Sequence, residues 1–364
     1  MPRLTDPIEL GSIHAKNRIL MAPLTRGRAT REAVPTPIMV DYYRQRASAG
    51  LIITEATGIS RIGLGWPYAP GIWNEAQVAG WKHVTKAVHA AGGKIVSQLW
   101  HMGRLGTYEV NEGQPVSSSA TTAPGHTRTF SSSAHPYPQA RALTLDEIPA
   151  LLDDYARAAE NALEAGFDGI QLHAANGYLI DQFLRDNANF RTDQYGGPVE
   201  NRIRLLGEVV DRLVRTIGAD KVGVRLSPNG QVQGVNDSNP HALFGAAAKL
   251  LDEKGAAWVE LREPRPGGTR GAPDVPPVHP VMREAFSRPL ILNSDYRHDD
   301  AQAALDAGEA DAIAFGRLFL ANPDLPRRLI EKLPLNPQRE DLFYAGGEQG
   351  YLDYPHWEEI GLPA

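Results

Sequence analysis

Residues Asp168 to Asn201 read DGIQLHAANGYLIDQFLRDNANFRTDQYGGPVEN. Ile170 and Leu172 alternate inside an apolar run bounded by Gly166 and Gly177, which predicts a short buried strand. His173, Asn176 and Tyr178 follow at its carboxyl end, ahead of a helix. A strand that ends in polar side chains and gives way to a helix is where barrel and open-sheet enzymes place their chemistry. On spacing alone two readings stand: His173 and Asn176 cap that helix, or they act.

Working outward, eight short apolar runs recur along the chain: Arg18–Ala22, Leu51–Glu55, Lys94–Leu99, Asp168–His173, Lys221–Leu226, Ala257–Leu261, Pro289–Asn293 and Asp311–Phe315. Between most of them lie stretches of helical period, such as Glu75–Ala91 with Val78, Trp81, Val84 and Val88 on one face; others span Glu147–Ala165, Asn201–Ile217, Pro240–Lys254 and Asp299–Ala307. Glycines in AAGGK, EAGFDG and EKGAAW suit left-handed helix ends. Eight near-continuously apolar strands alternating with helices predict an α/β fold, a (β/α)8 TIM barrel. A doubly wound sheet is the alternative, but no helix opens with GxGxxG. Residues 1–17 hold ELGSIHA, read as a hairpin turning at Gly11 that closes the bottom of the barrel. Residues 104–143 are rich in Ser, Thr, Pro and His with no clear helix, and read as a lid following strand three. The aromatic tail, residues 341–364, is expected to fold back over the barrel, so the whole chain, 1–364, is expected to form one domain.

Composition narrows the function. Across 364 residues, 42% hydrophobic and 22% charged content is that of a globular protein with a large core. A net charge of -6 without any Lys/Arg block offers nucleic acid no footprint. Cysteine is absent, which excludes disulfides, thiolate catalysis and zinc–thiolate sites. No signal pattern or membrane-length apolar run is evident, so the expected setting is the cytoplasm, with monomer and homodimer both open.

In a barrel the carboxyl ends of the strands share one face. Pro23, Leu24 and Thr25 lie there after strand one, Ala56 after strand two, and Gln98, Trp100 and His101 at strand three. Strand four brings His173, Asn176 and Tyr178, strand five Arg225, and strand six Glu260 and Arg262. Strand seven ends Asn293-Ser294-Asp295 and strand eight Gly316-Arg317. Carboxylates and imidazoles do not cluster as a metal site requires, so none is expected. Barrels commonly bind phosphate at strands seven and eight, where Ser294 and Gly316 allow close backbone approach and Arg317 supplies a fork of donors. The alternative for Arg317 is a surface pair with Asp311 or Asp324. Arg225, inward on an apolar strand, needs a negative partner if buried, and the pyrimidine edge of a reduced flavin would provide one. Gln98 and Thr25 can hydrogen-bond a flat heteroaromatic ring.

HxxNxY followed by LIDQFLRDxxNxRTDxYGGxxENR resembles the signature of the Old Yellow Enzyme family of flavin-dependent ene-reductases, and further matches run from Asn17 to the C-terminal tyrosine. The resemblance implies an FMN held tightly but non-covalently. APLTR (Ala22–Arg26) is similar to the family's strand-one flavin segment, with Thr25 on the ring. EAT (Glu55–Thr57), QLWHMGR (Gln98–Arg104), VRLSP with Arg225 at the pyrimidine side, and AFGR with Gly316 and Arg317 at the phosphate continue the match. HAANGY implies His173 and Asn176 as the substrate-polarising pair and Tyr178 as the proton donor. Trp66, Trp100 and Tyr351 are implied as pocket-lining residues. The chain departs from the family at NSDY, where glycines are common, and at WVELREP, where Glu260 and Arg262 carry charge. The implied reaction uses NADH or NADPH as a transient hydride donor and reduces small activated alkenes such as enones, enals, maleimides and nitroalkenes. Residue chemistry alone leaves open a barrel lyase or isomerase that acts on a phosphorylated substrate without flavin, with His173 as base.

Overall fold

The computed structural model describes residues 1–131, 133–269, 271–344 and 347–360. Eight parallel strands close into a barrel: β1 Ile19–Met21, β2 Ile52–Gly58, β3 Ile95–Trp100, β4 Ile170–His173, β5 Val222–Leu226, β6 Trp258–Arg262, β7 Leu290–Asn293 and β8 Ala312–Phe315. Each pairs with its neighbours in chain order, and β8 returns to β1 through Ile313↔Ile19 and Phe315↔Met21. The strands coincide with the apolar runs because a strand covered on both faces must be apolar throughout. They begin one or two residues later than those runs, since the leading residue is often a polar one on the bottom rim. Asp168, for example, takes the Lys94 ammonium at 2.9 Å and the Ile95 N–H at 2.9 Å. β2 and β3 run further toward the carboxyl face than expected, and β2 carries a register shift between Ile53 and Ala56.

The hairpin forms from Ile8–Leu10 and Ile13–Ala15, paired antiparallel about Gly11. Gly11 has φ +63°, and a Cβ there would lie 2.0 Å from the Asp220 carbonyl oxygen, so no other residue fits. Ile8, Leu10, Ile13 and Ala15 pack with Leu20, Ile53, Val96, Trp258 and Ile291 in the lower barrel interior. Truncating fully buried side chains of this kind costs about 2–5 kcal/mol each. The bottom is sealed by apolar packing, and chemistry is confined to the other end.

Outside the barrel, the helix Glu75–Ala90 buries Val78, Trp81, Val84 and Val88, and its first turn is capped by Asn74, which accepts from Gln77 N–H at 3.0 Å. Gly92, Gly166 and Gly255 end helices at positive φ, as the sequence predicts. The stretch 104–143 is not structureless. It holds a one-turn helix Tyr108–Asn111, a hairpin of His126–Arg128 with Ala134–Pro136, and a two-residue ladder between Val116–Ser117 and Arg141–Ala142. Elements this short give no periodicity to read. Ser117 and Ser118 tie the stretch to Gln182 with 2.8 Å bonds to its side-chain and main-chain oxygens. The tail is clamped to the segment after β1: Arg26 donates to the carbonyls of Phe343 (2.9 Å) and Gly350 (2.7 Å), and Arg28 to Phe343 (2.8 Å). Among the described residues no helix is long and apolar enough to cross a membrane.

Candidate active site

A cavity of about 790 Å³ opens at the carboxyl ends of the strands. Of the residues singled out from sequence, Pro23, Leu24, Asn176, Arg225, Arg262, Asn293, Ser294, Asp295, Gly316 and Arg317 line it. The tail adds Phe343 and Tyr344, and the segment after β6 adds Gly268 and Thr269.

At the end of β4 the backbone bends sharply. Asn176 sits at φ +57°, a left-handed conformation that costs a non-glycine residue free energy. Its N–H donates to Ser227 Oγ at 2.7 Å, and its buried Oδ1 has no hydrogen-bond partner. An orphaned buried amide oxygen is expensive unless a ligand uses the group. His173 is buried, and burial together with the nearby Arg225 charge holds its imidazole well below the usual histidine range, so the ring is neutral at pH 7. Ala175 N–H donates to His173 Nδ1 at 3.3 Å, which leaves the single ring proton on Nε2. His173 is therefore a fixed donor. Tyr178 stands edge-on to His173 at 4.8 Å and to Trp100 at 5.0 Å between ring centres. Burial pushes its phenol up to about 12, with the Gln233 side chain pulling the other way through a hydrogen bond.

Beneath the cavity a belt of buried polar side chains crosses the barrel interior. Gln98 Nε2 donates to Gln171 Oε1 (2.8 Å), and Gln171 Nε2 to Glu260 Oε2 (2.7 Å). Arg225 Nε lies 3.1 Å from Glu260 Oε1, and Arg225 Nη2 donates to Asn293 Oδ1 at 2.9 Å. Arg225 thus has a protein carboxylate for a partner, in addition to any charge that a reduced flavin edge would provide. The two residues lie on adjacent strands in direct register, a pairing that sequence cannot display.

At the far end of the cavity Arg317 pairs with Asp295 and Thr269 Oγ1, with Glu340 at 3.7 Å. The sequence alternatives are corrected: Asp311 is taken by Arg283 and Asp324 by Arg328. Ser294 and Asp295, at φ +141° and +50°, hold the left-handed turn where glycines would be unstrained. Both residues line the cavity, and the Asp295 carboxylate is occupied by Arg317 and by Thr269 N–H at 2.7 Å.

Thr25 is half-buried beside Leu24, and Ala56 and Gln98 are buried below the cavity, opposite each other in the β2–β3 ladder. Trp100 is fully buried beneath Tyr178. Trp66 does not line the cavity itself but lies 5.2 Å from the lining Tyr344, with the Arg128 guanidinium 5.4 Å from the Trp66 ring centre and 5.0 Å from that of Tyr344. Tyr351 is not at the cavity. It is fully buried and stacked on Tyr42 at 4.0 Å, flanked by Arg26 and Arg28. Tyr344, which sequence reasoning passed over, is the tail tyrosine that lines the cavity. The FYAGG preceding GYLDYP was the available signal.

This donor set fits FMN: apolar Pro23 and Leu24, a cationic Arg225 on one wall, and Arg317 beside the left-handed Ser294-Asp295 turn at the other end. Residues 3–336 match the profile of the NADH:flavin oxidoreductase / NADH oxidase family. The chain belongs to the Old Yellow Enzyme family. The Old Yellow Enzyme homologue from Zymomonas mobilis is 58% identical, superimposes with a TM-score of 0.96, and covers 97% of this chain and 99% of its own. Morphinone reductase, solved with tetrahydroNAD, is 45% identical with a TM-score of 0.92 and full coverage (100%) of both chains. 12-Oxophytodienoate reductase 1 of Oryza sativa subsp. japonica is 41% identical over 99% of this chain and 94% of that protein. Like other Old Yellow Enzymes, this chain is an FMN-dependent oxidoreductase that takes reducing equivalents from NAD(P)H and reduces activated alkenes. The flavin-free lyase or isomerase reading is set aside.

Proposed function

We propose that His173 and Asn176 bind the activating oxygen of enones, enals, maleimides and nitroalkenes, and that Tyr178 protonates the product carbon. The observation that carries this is the neutral His173 with its proton fixed on Nε2. When bound, FMN supplies the hydride, received from NAD(P)H and passed to the alkene β-carbon. His173 Nε2–H and the Asn176 Nδ2–H group stabilise the negative charge that grows on the substrate oxygen, each donor contributing on the order of 3 kcal/mol in a dry site. Tyr178 O–H then gives its proton to the α-carbon. Thr25, Ala56, Gln98 and Arg225 serve the flavin ring, and Ser294, Asp295, Gly316 and Arg317 its phosphate, with the two-residue turn contributing main-chain N–H groups. Trp66, Trp100 and Tyr344 wall the substrate, with 104–143 as its cover.

The double variant His173→Ala/Asn176→Ala tests the anion site. The flavin should remain reducible by NAD(P)H, while enone turnover falls and the long-wavelength band induced by phenols disappears. Retention of the phenol band would show that the anion binds elsewhere.

A further inference from the structure

Glu260 lies at the middle of β6, fully buried inside the barrel, and none of the chemistry above uses it. A carboxylate can only accept hydrogen bonds, so every neighbour that meets it must turn a donor toward it. Gln171 does so with Nε2. Its carbonyl is thereby turned the other way and takes one Nε2 hydrogen of Gln98, which fixes the orientation of that amide. Gln98 keeps its carbonyl oxygen and its second Nε2 hydrogen to offer. The two ends of a glutamine amide are normally interchangeable; here one carboxylate orders two of them in series.

On its other flank Glu260 Oε1 approaches Arg225 Nε to 3.1 Å, and neither atom makes an aligned hydrogen bond. The contact is one of charge, made from behind. Arg225 lines the cavity; Glu260 does not. Arg225 also donates to Asn293 Oδ1, whose amide N–H₂ passes on to the Ala314 carbonyl at 2.7 Å, so a third amide is ordered from the same centre. Removing one member of a buried pair leaves the other as an uncompensated charge.

We propose that Glu260 is a positioning residue that sets the reduction potential of the bound flavin, by neutralising Arg225 and by fixing which end of Gln98 meets the ring. The inference rests on the reading that Arg225 meets the flavin's pyrimidine edge. Two electrons and one proton taken up by the flavin leave one net negative charge on that edge. A lone arginine beside it favours the reduced form; an arginine backed by a carboxylate favours it less. Glu260 therefore keeps the potential low and makes the reduced cofactor the stronger hydride donor.

Anaerobic redox titration of FMN-loaded wild type, Glu260→Gln and Arg225→Met tests this. Glu260→Gln should favour reduced over oxidised flavin at least tenfold more than wild type does, an upward shift of about 30 mV or more for a two-electron couple. Arg225→Met should move the potential down. If Arg225→Met lowers the potential and Glu260→Gln fails to raise it, the role given to Glu260 is overturned and the site reading stands. If neither variant moves it, Arg225 does not face the flavin and both fall. Should Glu260→Gln fail to hold FMN, Glu260→Asp retains the charge on a shorter arm; a smaller rise is expected, and no rise overturns the proposal. A purely structural role for Glu260 would lower the melting temperature without this upward shift.

Discussion

Tyr178→Phe keeps the ring that packs edge-on against Trp100 and His173 and deletes only the hydroxyl proton. Two quantities follow. A positioned general acid contributes about 10²–10⁴-fold, so reoxidation of the reduced variant by an enone should slow by that range, while reduction by NAD(P)H proceeds almost normally. The second concerns pH. An ordinary tyrosine is about half ionised at pH 10. With the phenol pushed up to about 12 by burial, the ionised share at pH 10 is roughly 1%. The wild-type enone rate should therefore hold level through pH 10 and decline only near the upper end of the measurable range. Nitroalkenes should be less affected by the substitution at the hydride step, because the nitronate they form is stable and takes its proton later from water. Anaerobic stopped-flow reoxidation from pH 7 to 11, with both substrate types, reads all of this. Equal slowing of enone and nitroalkene, or of neither, would refute proton delivery by Tyr178, as would a wild-type enone rate that halves near pH 10.

Two further predictions concern binding and stability. Arg317→Ala should weaken FMN binding by about 10–100-fold, the worth of a hydrogen bond to a charged group, and should leave Asp295 without its cation; unchanged affinity in a fluorescence titration would move the phosphate elsewhere. His101 is buried, accepts from Gly103 N–H at 3.1 Å, and is held down to about 4 by burial. The unfolded chain binds a proton there below about pH 6.5 and the folded chain does not, so this stability is complete above that pH and is lost as pH falls toward 4. The loss from this one residue should be about 2 kcal/mol between pH 7 and 5, and urea unfolding should show it removed in His101→Asn.

Most of the barrel was legible because parallel strands covered on both faces are written as unbroken apolar runs, and glycine marks the helix ends between them. The β4 cluster was legible for a different reason, the rigid spacing of HAANGY and the segment that follows it. What escaped had no period or depended on lateral pairing. Tyr344 and Tyr351 lie in one aromatic tail whose path has no repeat, and Tyr351 has the more conspicuous surroundings in sequence although it packs against Tyr42, away from the cavity. Glu260 is only a charge in an otherwise apolar strand until β5 and β6 are set in register and Arg225 lies beside it. The short elements of 104–143 read as loop because two to four residues of order leave no pattern.

The clamp between the segment after β1 and the tail bears on how the protein is made. Arg26 lies just after β1, yet its guanidinium donates to carbonyls 317 and 324 positions later in the chain. Until those carbonyls are in place, the guanidinium keeps only nearer partners such as the Tyr42 hydroxyl at 3.1 Å, and the segment after β1 lacks its anchor to the tail. β1 pairs with β2 on one side but completes its pairing only with β8, the last barrel strand in chain order. The cavity wall is therefore complete only when β1, β8 and the tail have come together, so FMN is expected to bind the assembled barrel.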